Sequence, residues 1–184
     1  MKENSLANGK IAMIIAFRGF RDEEYFIPKN TFESKNFKVT TCSTKKGKAI
    51  GKLGGEANVD ILLSEVRPQD YDAVVFVGGP GAVNYIDDEI CHQIAKETVN
   101  KGKVLGAICI APAILAKAGV LEGKKATVWS SVIDKSAVKI LKNSGAEYIP
   151  DSVVVDGAIV TAPGPKFAKD FAETVINTII KNKK

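Results

Sequence analysis

Short apolar segments alternate with amphipathic segments along most of this chain. Such alternation predicts an α/β sandwich around a mainly parallel sheet, in which ligands bind at the carboxyl ends of the strands. The predicted strands are residues 10–17, 38–42, 73–77, 104–108, 126–128 and 159–161, with a hairpin at Asp156-Gly157, and the predicted helices are residues 22–34, 87–100, 110–118, 135–143 and 166–182.

The length and hydrophobic content of the chain, 184 residues and 45%, suffice for one well-packed core. We therefore predict a single domain over residues 10–182, preceded by a flexible leader over residues 1–9. No apolar run reaches the length of a membrane span, and the leader has no hydrophobic signal region. These observations predict a cytoplasmic protein without a membrane partner.

The net charge of +5 comes largely from lysines spread over predicted turns and chain ends. A nucleic-acid partner is not predicted, because neither interleaved aromatic residues nor a recognised binding motif accompanies the lysines. The three cysteines and one histidine show no metal-ligand spacing. Neither a disulfide nor a metal site is predicted.

Cys109 lies between the predicted strand 104–108 and the predicted helix 110–118, which carries Pro112 in its first turn. A thiol at this turn faces the free N–H groups and the positive dipole end of the helix, which stabilise the thiolate. The position predicts a nucleophilic Cys109 whose pKa lies below that of a free cysteine. The alternative is a buried, inert cysteine, a frequent fate for this small hydrophobic side chain.

Two glycines follow the neighbouring strand 73–77. Gly78 and Gly79 have no side chains, so their backbone N–H groups can approach a ligand closely. We predict that the N–H groups of Gly79 and Ile110 form an oxyanion hole beside Cys109. Tight turns also use glycine pairs for geometry alone, and the lysine of a phosphate-binding loop is missing here.

Glu24 lies in the first turn of the predicted helix 22–34. Pro28 has no N–H group to bond the Glu24 carbonyl, and this irregularity helps to place the Glu24 carboxyl group at the strand ends, against a thiol. Acidic residues in a first turn also complement the helix dipole. That simpler explanation fits Asp22 and Glu23 well.

His92 directly follows Cys91 and so resembles the base of a nucleophile–base pair. On the predicted helix 87–100, Cys91 shares the buried face with Ile94, and His92 points away from it. We therefore assign Cys91 to the core and His92 to the surface. The sequence then shows no Cys–His pair.

Four motifs occur in order along the chain and together match one known pattern. They are Glu24 four positions before Pro28, the run from Tyr71 to Gly81, the Ala107-Ile-Cys109 elbow with Pro112 three residues on, and Thr161-Ala-Pro-Gly-Pro165. From about Lys10 to Ile180 the chain resembles the ThiJ/PfpI family. This family includes the parkinsonism-associated deglycase, archaeal intracellular peptidase-like proteins and glyoxalase-type stress proteins.

The resemblance implies a flavodoxin-like three-layer sandwich, similar to class I glutamine amidotransferases, that forms homo-oligomers. It implies that Cys109 has a strained backbone conformation, that a protonated Glu24 donates a hydrogen bond to its thiolate, and that Gly78 and Trp129 line the pocket. Because a carboxylate and a thiolate in contact repel each other, keeping the proton on the carboxyl group is physically reasonable.

The chain departs from the family pattern where other members carry a histidine. Ile110 stands where members proposed as peptidases have a histidine after the nucleophile, and a second histidine is missing from the run Thr127–Ser130. A peptidase needs an imidazole to protonate the amine leaving group. A cysteine peptidase is therefore the third hypothesis, and it depends on a neighbouring subunit supplying that group.

The first hypothesis is a cofactor-independent glyoxalase or deglycase that acts on small reactive aldehydes. Cys109 would add to the aldehyde, the N–H groups of Gly79 and Ile110 would hold the oxyanion, and Glu24 would move the proton between two carbons. The second hypothesis is a redox sensor or chaperone-like binder in which the same cysteine is oxidised reversibly.

Overall fold

The computed structural model describes residues 9–183, so only Gly9 of the predicted leader lies within the described residues. The strands are β1 (Lys10–Ile14), β2 (Arg18–Phe20), β3 (Lys38–Ser43), β4 (Gly47–Gly51), β5 (Glu56–Val59), β6 (Ile61–Leu62), β7 (Ala73–Phe76), β8 (Val104–Ile108), β9 (Lys125–Ala126), β10 (Glu147–Tyr148), β11 (Val154–Asp156) and β12 (Ile159–Ala162). The helices are α1 (Asp22–Ser34), α2 (Glu89–Asn100), α3 (Pro112–Lys117), α4 (Ser136–Asn143) and α5 (Ala168–Asn182), with 3-10 turns at Leu63–Glu65, Pro68–Asp70, Pro80–Tyr85 and Pro165–Phe167.

A seven-stranded sheet in the order β11-β12-β8-β7-β1-β3-β6 forms the centre of the fold. Its neighbouring strands run parallel except in the β11–β12 hairpin at one edge. Helix α1 contacts α5, whereas α2 contacts α3 and α3 contacts α4. This architecture confirms the predicted flavodoxin-like α/β sandwich, and it brings the carboxyl ends of β1, β7, β8 and β12 to one edge of the sheet.

The central strands are apolar along their whole length because helices cover the sheet. Every residue of β7 and β8 is buried. Gly106 of β8 also allows α5 to approach the sheet closely, since a Cβ atom at this position would lie 3.0 Å from Phe171 Cζ. The apolar runs that predicted strands therefore form the core under the site.

The helices agree with the sequence prediction except near Cys109. Helix α1 spans the predicted residues 22–34 and continues through Pro28. The helix predicted over 110–118 begins only at Pro112, because residues 109–111 form the turn out of β8. None of the helices within residues 9–183 combines the length and apolar composition needed to cross a membrane.

A second, three-stranded sheet in the order β2-β4-β5 has no counterpart in the sequence prediction. The turn between β4 and β5 is held by Asp22, whose carboxylate accepts hydrogen bonds from the N–H groups of Leu53 at 2.8 Å and Gly55 at 2.7 Å. Asp22 is buried, so the explanation of this residue by the helix dipole alone is wrong. Its main role is to join α1 to the β4–β5 turn.

Candidate active site

Cys109 occupies the turn between β8 and α3 in a left-handed backbone conformation, with φ at +65°. For a residue other than glycine this conformation costs about 1–2 kcal/mol, because Cβ approaches the following carbonyl oxygen. Hydrogen bonds from distant segments hold it in place: the Cys109 N–H donates to the Ala162 carbonyl at 2.8 Å, and the Cys109 carbonyl accepts from the Trp129 N–H at 2.8 Å. The sulfur is thereby fixed at the carboxyl edge of the sheet.

The pKa of Cys109 is not lowered, and the prediction of a low value is wrong. Burial, with an added contribution from the Glu24 carboxylate, raises the pKa of the thiol to about 12, although the backbone N–H groups of Ile110 and Gly79 act in the opposite direction. Helix α3 starts at Pro112, beyond the turn, so its dipole does not outweigh desolvation. The thiolate is therefore not the resting form of Cys109.

Glu24 is completely buried in the first turn of α1, with 0% exposure. Neither carboxyl oxygen has a hydrogen-bond partner of normal geometry among the described residues. Burial raises the pKa of Glu24 to about 7, while Cys109, Arg21 and the backbone of Gly78 act to lower it. Glu24 and Cys109 thus affect each other's pKa, but the predicted hydrogen bond between them does not meet normal geometry here.

Gly78 and Gly79 provide the space that Glu24 and Cys109 need. A Cβ atom at Gly78 would lie 2.5 Å from Glu24 Oε2 and 2.6 Å from Cys109 Cβ. Gly79 has a φ of +110°, which favours glycine, and it lines the pocket beside the sulfur. The N–H groups of Gly79 and Ile110 both act on the sulfur, as the predicted oxyanion hole requires.

Cys109 opens into a pocket of about 730 Å³ at this edge of the sheet. The predicted site residues Glu24, Gly79, Ile110 and Trp129 also line it, whereas Gly78 lies behind Glu24. The remaining walls are mostly apolar: Pro80, Val83, Ile86, Ala137, Ile140 and Pro165.

Four polar pocket residues were not predicted: Arg21, Lys52, Asp134 and Ser136. Arg21 precedes α1 and lies three positions before Glu24, so its place at the pocket could have been inferred from the helix. Lys52 belongs to the β4–β5 turn, and Asp134 and Ser136 lie in and after the loop that leads to α4. No sequence pattern connects these segments to the elbow.

His92 does not line the pocket. Its Nε2 atom lies 2.7 Å from the Ile86 carbonyl oxygen, and the side chain is partly buried. The assignment of His92 to the surface is therefore wrong in part, because the ring braces the segment that carries Ile86. Cys91 is fully buried, as predicted. In residues 9–183, no three His, Cys, Asp or Glu side chains converge as metal ligands.

Comparison with known proteins decides which family this site represents. A family model described as the DJ-1/PfpI family matches residues 9–178. The chain belongs to the DJ-1/PfpI family. This result confirms the resemblance inferred from the four sequence motifs.

Relatives in the DJ-1/PfpI family are similar to the chain over most of its length. The chain is 43% identical to an uncharacterized protein of Methanocaldococcus jannaschii over 182 residues, covering 98% of this chain and 87% of that protein. It is 36% identical to a deglycase of Thermococcus kodakarensis over 158 residues, covering 85% of this chain and 92% of that enzyme. The crystal structure of a ThiJ/PfpI domain protein from Brachyspira murdochii aligns with a TM-score of 0.89 at 38% identity, covering 94% of this chain and 96% of that one.

Proposed function

We propose that this protein is a cysteine-dependent enzyme that acts on small reactive carbonyl compounds by glyoxalase or deglycase chemistry. The observation that carries this proposal is the buried Glu24 carboxyl group, which has no hydrogen-bond partner of normal geometry and acts on the pKa of Cys109. Burying an unpartnered carboxyl group is costly, and such groups concentrate at functional sites. The similarity to the Thermococcus kodakarensis deglycase supports the same class of substrate.

The pKa of Glu24, raised by burial to about 7, suits a general base that works at neutral pH. In the first step, the Glu24 carboxylate takes the thiol proton while Cys109 Sγ forms a bond to the aldehyde carbon. The carbonyl oxygen becomes an oxyanion, which accepts hydrogen bonds from the N–H groups of Gly79 and Ile110. Returning the proton to this oxygen gives a neutral hemithioacetal.

The second step moves a proton between the two carbons of an α-oxoaldehyde. Glu24 removes the hydrogen from the carbon bonded to sulfur and returns a proton to the neighbouring carbon, whose ketone becomes an alcohol. The first carbon is oxidised and the second is reduced, so no external oxidant is required. One water molecule then cleaves the resulting thioester, which releases a 2-hydroxy acid and restores the thiol.

The other two hypotheses have less support from the site. Reversible oxidation proceeds through a standing thiolate, whereas burial raises the pKa of Cys109 to about 12. The enzyme needs the thiolate only during attack, when Glu24 accepts the proton. A peptidase needs an imidazole, and the described pocket residues include none.

The test is the conversion of methylglyoxal to lactate by the wild type, Cys109→Ser and Glu24→Gln. Both substitutions should abolish conversion, whereas Glu33→Gln, which changes an exposed glutamate at the far end of α1, should leave it unchanged. Circular dichroism checks that each variant is folded. Equal conversion by the wild type and Cys109→Ser would overturn the proposal.

A further inference from the structure

The pocket is much larger than the two- or three-carbon aldehydes that the chemistry requires. Its volume is about 730 Å³, and apolar side chains such as Val83, Trp129 and Ile140 form most of its walls. A small aldehyde bound at Cys109 would leave these walls in contact with water alone. The pocket therefore has room for a longer carbon chain attached to the reacting carbonyl group.

The charged side chains at the pocket are neutralised by their own neighbours, with one exception. Arg21 Nε donates to Glu23 at 2.8 Å, and its Nη2 donates to the same carboxylate at 3.2 Å. The Asp134 carboxylate accepts a hydrogen bond from the Ser136 N–H at 2.8 Å. Lys52 forms no ion pair within residues 9–183. It therefore supplies an unpaired positive charge at the pocket.

The backbone of Lys52 is fixed more firmly than a surface lysine requires. Its N–H donates to the Phe20 carbonyl at 2.8 Å, and Asp22 binds the N–H of the next residue, Leu53, at 2.8 Å. Glycine is needed at position 51, since a Cβ atom there would lie 2.5 Å from the Asp22 carboxylate. Asp22 and Glu24 belong to the same turn of α1. This turn therefore holds Lys52 and the proposed base in one rigid unit.

We propose that the pocket selects carbonyl substrates that carry a carboxylate several carbons from the reacting group, and that Lys52 binds this carboxylate. This inference rests on the proposed function and names its substrate class. One unpaired ammonium group matches one negative charge, and the nearby Asp134 carboxylate disfavours a second. The apolar walls accommodate the carbons between the two ends of the substrate.

The first experiment needs no turnover. Iodoacetate and iodoacetamide both alkylate Cys109, forming a sulfur–carbon bond while iodide leaves, and they differ mainly in charge. Lys52→Gln should slow alkylation by iodoacetate about threefold, the size expected for an exposed ion pair, and leave the iodoacetamide rate unchanged. Lys48→Gln is the matched control, because Lys48 is an exposed lysine of β4 outside the pocket. High salt should diminish the effect.

The second experiment compares two substrates, 4,5-dioxopentanoate and its methyl ester. Lys52→Gln should raise KM for the acid about threefold at constant kcat and leave both constants unchanged for the ester. Asp22→Asn should act in the same direction, because it loosens the turn that holds Lys52.

The two experiments separate the possible failures. If neither substrate is converted but the iodoacetate rate still depends on Lys52, the proposed function fails and the carboxylate site stands. If Lys52→Gln leaves both iodoacetate alkylation and the KM of the acid unchanged, or alters the charged and neutral compounds equally, the carboxylate site is refuted whether or not methylglyoxal is a substrate.

Discussion

Gly78 and Glu24 fit together so closely that a Cβ atom on the glycine would lie 2.5 Å from Glu24 Oε2. We therefore expect Gly78→Ala to displace the Glu24 carboxyl group and to reduce methylglyoxal turnover about 100-fold, as misplacement of a reacting group by an ångström commonly does. Gly164→Ala is the control, because no atom lies within 4 Å of the Cβ position there. Full turnover by Gly78→Ala would show that the position of Glu24 does not matter.

Glu24 should also make stability depend on pH. Its pKa is about 7 in the folded protein and 4.5 in the reference state, so the folded protein binds the proton more tightly. This contribution to the free energy of unfolding is complete below pH 4.5 and is lost as pH rises through 7, a loss of about 3 kcal/mol at 1.4 kcal/mol per pKa unit. Urea unfolding between pH 4 and 8.5 measures it. The difference between wild type and Glu24→Gln should follow this course, and a constant difference would contradict the raised pKa.

Cys109 should be the cysteine that reacts first in the folded protein. It is partly exposed at the pocket, whereas Cys42 and Cys91 have 0% exposure. Burial raises the pKa of Cys42 to about 12 as well, so accessibility decides the order. Mass spectrometry after iodoacetamide treatment should locate the first label on Cys109, and Cys109→Ser should be labelled only after denaturation. Earlier labelling of either buried cysteine would contradict the assignment.

The backbone strain at Cys109 can be measured with two variants that both lack the thiol. Since φ is +65° there, Cys109→Gly should be more stable than Cys109→Ala by about 1 kcal/mol. Cys91 lies inside α2, where the order should reverse and alanine should be favoured by about 1 kcal/mol. Denaturant midpoints of the four variants provide the comparison. The same order at both positions would argue against strain at the elbow.

Peptide hydrolysis should be absent. A general acid contributes about 10²–10⁴-fold to expulsion of an amine, and the partly buried His92 ring lies 2.7 Å from the Ile86 carbonyl oxygen instead of facing Cys109. Casein should therefore be cleaved no faster by the wild type than by Cys109→Ser. Cleavage that disappears in both Cys109→Ser and His92→Ala would show that a neighbouring subunit supplies the imidazole.

The sequence predicted the parts of the fold that depend on hydrophobic patterning. Strands β7 and β8 and helix α1 could be located because each is long enough to show a clear apolar period. The β4–β5 hairpin could not, because its lysines and glycines obscure the alternation. What stabilises it is the bond from Leu53 to Asp22, which joins residues far apart in the chain.

For the site, the sequence located residues but not their energetics. Cys109 and Glu24 could be found from the turn and helix that carry them, and the helix dipole then suggested a low thiol pKa. The structure shows that burial dominates instead, because α3 begins only at Pro112. Burial of a side chain depends on segments folded over it from elsewhere in the chain, so it cannot be calculated from local sequence. Lys52 escaped detection for the same reason.

The hydrogen bonds that hold Cys109 come from Ala162 and Trp129, which lie in segments well after the elbow. A growing chain that has emerged only as far as α3 lacks both partners, and its Cys109 has no reason to adopt the left-handed conformation. Chemical competence at this cysteine therefore arises only when the last third of the polypeptide has docked against the sheet. A nascent or truncated chain carries an ordinary thiol, and the working elbow is a property of the finished molecule.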